Sequence, residues 1–330
     1  MTQETTTCVR DSRLSLDIVV CLLASAISAC SRSDSRSQME PGPLSVLKVE
    51  TSIHNRLVEN SIGVTSVSQT GIIFGLNDSG NGPYLFAFDS TGRGLGYWQV
   101  AGAQNRDWES AAMGPCSSQS EQWSCLYIGD VGDNDARKPR LTIYRMPEPR
   151  VDVGRQIPRN PQPIHDVGRL DFRYSDQPHD VEAMYVALDG AVVLITKRRL
   201  LDSQGRPRPA LLFRIPPAAW DSSGVVTAVL VDSLSIVPGQ RQGGLITDAA
   251  LTPDGRYLAV RTYRDLYVFA MDTTTGLPLA GRETGPCFIA GLREKQGEGI
   301  GWWWDRRRLV LTSEGKNAPM YLLACPLPAS

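Results

Sequence analysis

Short β-like runs recur along the chain, set apart by polar turns and repeatedly preceded by a carboxylate. "NRDWESAAMG" (105–114) places Asp107 and Glu109 directly before an apolar stretch, and "HDVEAMYV" (179–186) and "QGEGIGWW" (296–303) repeat that order. Taken as a repeat, each unit reads as acid motif, strand, strand ending in a polar turn, strand, strand. The first unit runs "ENSIGVTSV", "GIIFGLNDSG", "PYLFAFDSTG", "GYWQV". The second runs "DWESAAMG", "CLYIGDVGDN", "LTIYRMP", "LDFRYS", and the third "DVEAMYVAL", "AVVLITKRR", "ALLFRIP", "VVTAVLVDSLSI". The fourth has "TDAALTPDG", "RYLAVRTYRD", "LYVFAMD" and a weaker "CFIAGL", and the fifth only three strands, "EGIGWWWD", "RLVLTSEGKN" and "MYLLACP".

The missing fifth-unit strand has a candidate at the other end of the chain, "LSVLKVETSI" (44–53). Pairing the two ends closes a ring and removes exposed sheet edges. The predicted fold is therefore all-β, a single propeller of five four-stranded blades over residues 45–330, closed by its N-terminal strand. Six blades would result if an insert such as 147–168, rich in Pro and Arg, hides strands; a β-sandwich is the plainer alternative. Glu59 to Glu109 and Asp248 to Glu298 are equally spaced, about 50 residues, while the two intervening units are longer.

Ring geometry suggests what the carboxylates do. The start of each innermost strand and the end of its neighbour lie at one edge of a blade, and these edges meet around one channel mouth. Candidate metal ligands there are Glu59, Asp107, Glu109, Asp180, Glu182, Asp248, Glu298 and Glu314. Candidate ligand-binding residues are Asp78, Asp130, Asp133, Lys197, Arg198 and Arg261, with Asn77 and Asn134 beside them. Carboxylates crowded in this way need raised pKa values or a shared cation. Hard oxygen donors suit Ca²⁺, and a basic sector beside it suits an anionic small molecule or protein partner. Any single acid also serves as turn chemistry, for "NDSG" and "GDVGDN" are good turn sequences. Trp302, Trp303 and Trp304 read as core; His54, His165 and His179 show no nucleophile–base pattern, and no G-x-S-x-G occurs.

A net charge of −1 argues against nucleic acid and leaves a monomer the simplest state. Residues 1–29 carry Arg10 and Arg13, then an apolar stretch too short to span a bilayer, and read as a signal peptide. The ending Ile27-Ser28-Ala29-Cys30 resembles a bacterial lipobox. That resemblance implies lipid on Cys30, a tether over 30–44 and a membrane anchor in the cell envelope. Ser31 after it favours the outer membrane, facing the periplasm; an ordinary secretory cleavage after Ala29 or an uncleaved anchor are the alternatives. Export leaves Cys116, Cys125, Cys287 and Cys325 in an oxidising compartment. Three pairings are open, of which Cys116–Cys125 with Cys287–Cys325 is preferred; no C-x-x-C supports zinc.

The set "ENSIG", "NDSGN", "DWE", "YIGDVGDN", "DVEAM", "ITDAALTPDGRYLAVRTY", "QGEGIGW" and "TSEG" resembles exported bacterial β-propellers grouped loosely with phytase-like, calcium-dependent phosphotriesterase-like and NHL-type propellers. That resemblance implies acidic positions around the channel at Glu59, Asp107, Glu109, Asp180, Glu182, Glu298 and Glu314. It leaves two functions open: a Ca²⁺-binding, envelope-anchored binding module, or a calcium-dependent phosphoester hydrolase.

Overall fold

A computed structural model describes residues 45–48, 62–117, 123–240, 242–316 and 318–328. Glu59 and Cys30 lie outside the described residues, as do the predicted signal peptide and tether.

Strand β1 (Ser45–Lys48) precedes the first blade. Blade 1 is the antiparallel series β2 (Ile62–Thr65), β3 (Ile73–Leu76), β4 (Tyr84–Phe88) and β5 (Gly94–Val100). Blade 2 contains β6 (Trp108–Pro115), β7 (Trp123–Asp130), β8 (Leu141–Pro147) and β10 (Gly168–Tyr174). Between the last two, β9 (Gln162–Ile164) crosses to pair in parallel with β5. The 147–168 insert thus widens blade 1 instead of hiding a sixth blade.

Blade 3 comprises β11 (Val181–Val186), β12 (Val192–Thr196), β15 (Leu211–Ile215) and β16 (Val226–Ser233), with β13 (Leu200–Leu201) and β14 (Pro207–Arg208) as a small side hairpin. Blade 4 is β17 (Ile246–Leu251), β18 (Tyr257–Thr262), β19 (Asp265–Asp272) and β20 (Leu277–Phe288). Blade 5 is β21 (Gly297–Trp302), β22 (Arg308–Ser313) and β23 (Pro319–Ala324), and its fourth strand is β1, antiparallel to β23 with Ser45 opposite Leu322. The chain ends close the ring as the strand pattern predicted. The innermost strands pack in the cyclic order β2, β6, β11, β17, β21 and back to β2.

Two details depart from a ring of independent four-stranded blades. Phe172–Tyr174 of β10 pair in parallel with Val226–Ala228 of β16, fusing blades 2 and 3 into one eight-stranded sheet. The outer strand of blade 4 is the twelve-residue β20, not the short "CFIAGL". Two register shifts against β19 accommodate its glycines, which take positive φ at Gly281 and Gly285.

Every inner strand is buried on both faces because blades stack face to face, and each interface carries its own apolar cluster. Trp98, Trp108 and Leu126 fill blades 1–2; Tyr127, Phe172 and Phe213 fill blades 2–3. Tyr185, Ile195 and Phe269 fill blades 3–4; Leu266, Trp302 and Tyr321 fill blades 4–5; Ile73, Phe88 and Trp303 close blades 5–1. At about 1.5–3 kcal/mol for each large side chain removed from water, these five interfaces hold the ring together. Trp302 and Trp303 are core, as read from sequence, but Trp304 is 56% exposed at the turn after β21.

Both preferred disulfides form. Cys116–Cys125 staples the β6–β7 connection, with Cα atoms 5.0 Å apart. Cys287–Cys325 ties the outer strand of blade 4 to the end of blade 5 across 6.1 Å.

Candidate functional site at the channel mouth

The acids before the inner strands sit at β-bulges. On β6, Trp108 opposes Asp130 and Ser110 opposes Gly129, so Glu109 is the extra residue. The same shift leaves Glu182 extra between Val181 and Ala183 on β11, and Glu298 extra between Gly297 and Gly299 on β21. A bulge locally breaks the ladder and re-aims one side chain. This is how a charged residue stands at the mouth of a strand that is otherwise buried.

On β17 the extra residue is Thr247, between Ile246 and Asp248. Asp248 is therefore one position past the glutamates it was aligned with. It is 1% exposed; its Oδ1 accepts from Ser110 Oγ of blade 2 at 3.1 Å and its Oδ2 from Ile300 N of blade 5 at 2.9 Å. Burial pushes its carboxyl well above the usual range, with those hydrogen bonds opposing. Asp248 is a brace between inner strands.

Three carboxylates converge. One oxygen each from Asp78, Asp107 and Glu109 lie within 4.8 Å of one another. Asp78 follows β3 in blade 1, whereas Asp107 and Glu109 belong to blade 2. Asn105 stitches the two together: its Nδ2 donates to the carbonyls of Asn77 (3.0 Å) and Asp78 (2.9 Å), and its Oδ1 accepts from Trp108 N (3.2 Å). Asp130 accepts from Asp107 N at 2.7 Å, fixing the start of β6. Gly132 backs the cluster; a Cβ there would lie 2.6 Å from Asp107 Cγ and 2.8 Å from Glu109 Cγ. Only a residue without a side chain lets the loop pass so close.

The electrostatics follow from this crowding. The Glu109 carboxyl is pushed up to about 9, first by burial and then by the charges of Asp78, Glu298 and Asp107, with Lys197 opposing. Glu298 rises to about 8, chiefly through burial, with the Gln296 hydrogen bond opposing and Glu314 and Asp78 adding to it. Tyr263, whose hydroxyl is 3.5 Å from Glu298 Oε1, is also raised, by burial and by Glu298, Glu109 and Glu314. Burial and mutual repulsion thus drive both glutamates toward the protonated form.

The other acids are engaged by neighbours. Lys197 Nζ pairs with Glu182 Oε1, and Gln296 Nε2 bridges Glu298 and Glu314. Lys295 lies 3.5 Å from Glu314. Arg198 pairs with Asp180, whose Oδ1 also accepts from Asp133 N at 3.3 Å, and reaches Asn134 at 2.5 Å. Asp133 accepts from Lys138 N at 2.7 Å. Arg261, placed among the ligand-binding cations from sequence, is fully buried instead. Its guanidinium donates to the carbonyls of Gly299 (2.7 Å) and Thr312 (2.9 Å) and to Glu294 (2.5 Å), locking blade 4 to blade 5.

Sequence reasoning missed Asn105, Gly132, Lys138, Gln296 and Thr247. Lys138 is five residues past Asp133 in a turn that carries no strand pattern, and only the loop's return toward β6 brings it to Asp107. Gln296 was within reach of sequence, since Gln296-x-Glu298 places an amide and an acid on alternate positions of one extended segment.

No protein-family model matches this chain, and no curated protein does. Among solved structures it is similar to the Dos1 propeller, at 12% identity over 79% of this chain and 53% of that one, with a TM-score of 0.33. It is also similar to a chain in the crystal structure of the mitotic checkpoint complex, at 11% identity over 94% and 99%, with a TM-score of 0.38. The chain spans about half the length of the first. The propeller class rests on the strand order and ring closure described above.

Proposed function

We propose that this protein is a β-propeller binding module whose channel mouth holds a divalent cation, Ca²⁺ by its all-oxygen donor set, between blades 1 and 2. The observation that carries this is the convergence of Asp78, Asp107 and Glu109 within 4.8 Å beside glutamates driven toward protonation. Carboxylate oxygens of this kind are ordinary Ca²⁺ donors, and water completes its six to eight positions. A cation in place of the protons offsets the carboxylate repulsion that adds to burial in raising Glu109. The lipobox resemblance at Cys30 supports an envelope anchor, so that the disc presents its mouth to a periplasmic anionic ligand or partner.

Phosphoester hydrolysis is the weaker reading. Lys197 is closed on Glu182, and Arg261 is spent on carbonyls and Glu294, so two of the three candidate ligand-binding cations are engaged elsewhere. Calorimetric titration of the purified protein with CaCl₂, beside Asp78→Asn/Asp107→Asn, tests the site. Saturable binding that the double substitution abolishes is the expected result, and equal heats from both proteins overturn it. A phosphomonoester and phosphodiester assay with Ca²⁺ or chelator separates the two readings, with no turnover expected in either.

A further inference from the structure

The acid cluster already contains a cation of its own. Lys138 Nζ lies 2.6 Å from Asp107 Oδ2 and 2.6 Å from the carbonyl oxygen of Gly132. One carboxylate oxygen and one backbone carbonyl are also donors that Ca²⁺ takes. The ammonium therefore sits where an incoming ion would find two of its ligands. It is held there lightly: the side chain is 41% exposed, and its placement comes from the turn, through Lys138 N to Asp133 Oδ2 and Ala136 N to Asp133 O, both 2.7 Å. A swing of the lysine stem frees both oxygens while the turn stays in place.

A second feature shows that the mouth is not satisfied by its own residues. Glu182 is 3% exposed, and its Oε2 has no hydrogen-bond partner among the described residues, nor does Thr247 Oγ1 on the adjacent inner strand. Lys197, which holds the other Glu182 oxygen, acts electrostatically on both Glu109 and Glu298. Glu182 holds the bulge position on β11 that Glu109 holds on β6, the strand it packs against, so the unpartnered oxygen belongs to the same rim.

We propose that Lys138 is a tethered counter-ion, displaced when a divalent cation enters the Asp78–Asp107–Glu109 cluster, and that it sets the affinity and valence selectivity of the site. This rests on the cation-binding function above and adds its control. A tethered ammonium competes at the high effective concentration of any intramolecular partner. Sodium or potassium brings only the charge that Lys138 already supplies, whereas a divalent ion brings twice that charge to three carboxylates. Lys138 excludes the first and yields to the second.

Calorimetric titration with CaCl₂, repeated at several NaCl concentrations, tests the role on wild type, Lys138→Met, Lys138→Arg and, as an exposed charge control, Arg173→Met. Lys138→Met is expected to bind Ca²⁺ roughly tenfold to a hundredfold more tightly, as removal of a charge a few ångströms away implies. Its affinity should also fall more steeply with NaCl. Lys138→Arg and Arg173→Met should stay within about twofold of wild type, the expectation for a preserved or distant charge. Equal affinity and salt dependence in wild type and Lys138→Met overturn the counter-ion role and leave the site intact. Weaker binding in Lys138→Met, with Lys138→Arg like wild type, overturns it in favour of a supporting contact. No binding to wild type or any variant overturns the cation site itself.

Discussion

Glu109→Gln separates the two states of the mouth because its stabilising effect, present without a cation, largely cancels once wild type binds one. The Glu109 carboxyl lies at about 9 in the folded protein against an ordinary 4.5. Between those values the folded state keeps a proton that the unfolded chain gives up, so stability is highest below about pH 4.5 and falls as pH rises toward 9. At pH 7.5 the three-unit gap from 4.5 corresponds to about 4 kcal/mol, at roughly 1.36 kcal/mol per unit. Because the burden is shared with Glu298, about 2–4 kcal/mol is a reasonable range. Glutamine fills the same space and ionises in neither state.

In chelator at pH 7.5, Glu109→Gln should therefore raise the melting temperature by about 4–15 °C, at roughly 2–4 °C per kcal/mol for a domain of this size. At pH 5 the gain should shrink to about 0.7 kcal/mol, half a unit's worth. In Ca²⁺ at a hundred times its dissociation constant, wild type should gain about 2.7 kcal/mol that the variant does not. Differential scanning calorimetry at pH 5 and 7.5, with chelator and with Ca²⁺, gives all four comparisons. A variant less stable than wild type in chelator at both pH values, with an unchanged pH slope, would refute the crowding argument.

The structural half of the ring makes its own predictions. Arg261→Met should cost about 3–5 kcal/mol by leaving Glu294 buried without its partner, read as a lower denaturation midpoint in urea. Gly297→Ala should destabilise through the same contact, since its Cβ would fall 1.8 Å from an Arg261 guanidinium nitrogen. Replacing Cys287 and Cys325 by serine should cost up to about 4 kcal/mol on the chain-entropy estimate, more than the shorter Cys116–Cys125 loop, and chemical denaturation under non-reducing conditions reads the difference.

Much of this was legible in the chain. Period-two and apolar runs located the inner strands, and the lone N-terminal run located the closure onto β23, because both signals depend on local pattern. The bulge at β17 was not legible. "TDAA" resembles "DVEA" and "DWESA" as text, and only cross-strand register reveals that Thr247, not Asp248, occupies the glutamate position. Arg261 was misread for a related reason: its place at the end of β18 is shared with residues that face the mouth, but a glycine at 297 opens a path between blades that its side chain takes. The length of β20 was hidden by Gly281, Gly285 and Pro286, which interrupt a pattern without ending the strand once bulges absorb them.

Charge pairing decides where on the rim the proposed cation would belong. Blade 3 answers its glutamate with Lys197 and its aspartate with Arg198, and blade 4 replaces the glutamate by Thr247. Blade 5 links Glu298 and Glu314 through the neutral Gln296, with Lys295 alongside Glu314. At blades 1 and 2, three carboxylates converge with the Lys138 ammonium paired to one of them, and there repulsion adds to burial in raising Glu109 to about 9. A ligand on the channel axis would draw on all five blades alike. The imbalance instead favours an off-axis ion in the seam between blades 1 and 2, where Asn105 holds Asp78 against the start of β6. Asn105→Ala should then weaken Ca²⁺ binding although Asn105 carries no charge, because it releases Asp78 from the other two acids. Unchanged affinity in that variant would move the ion back toward the axis.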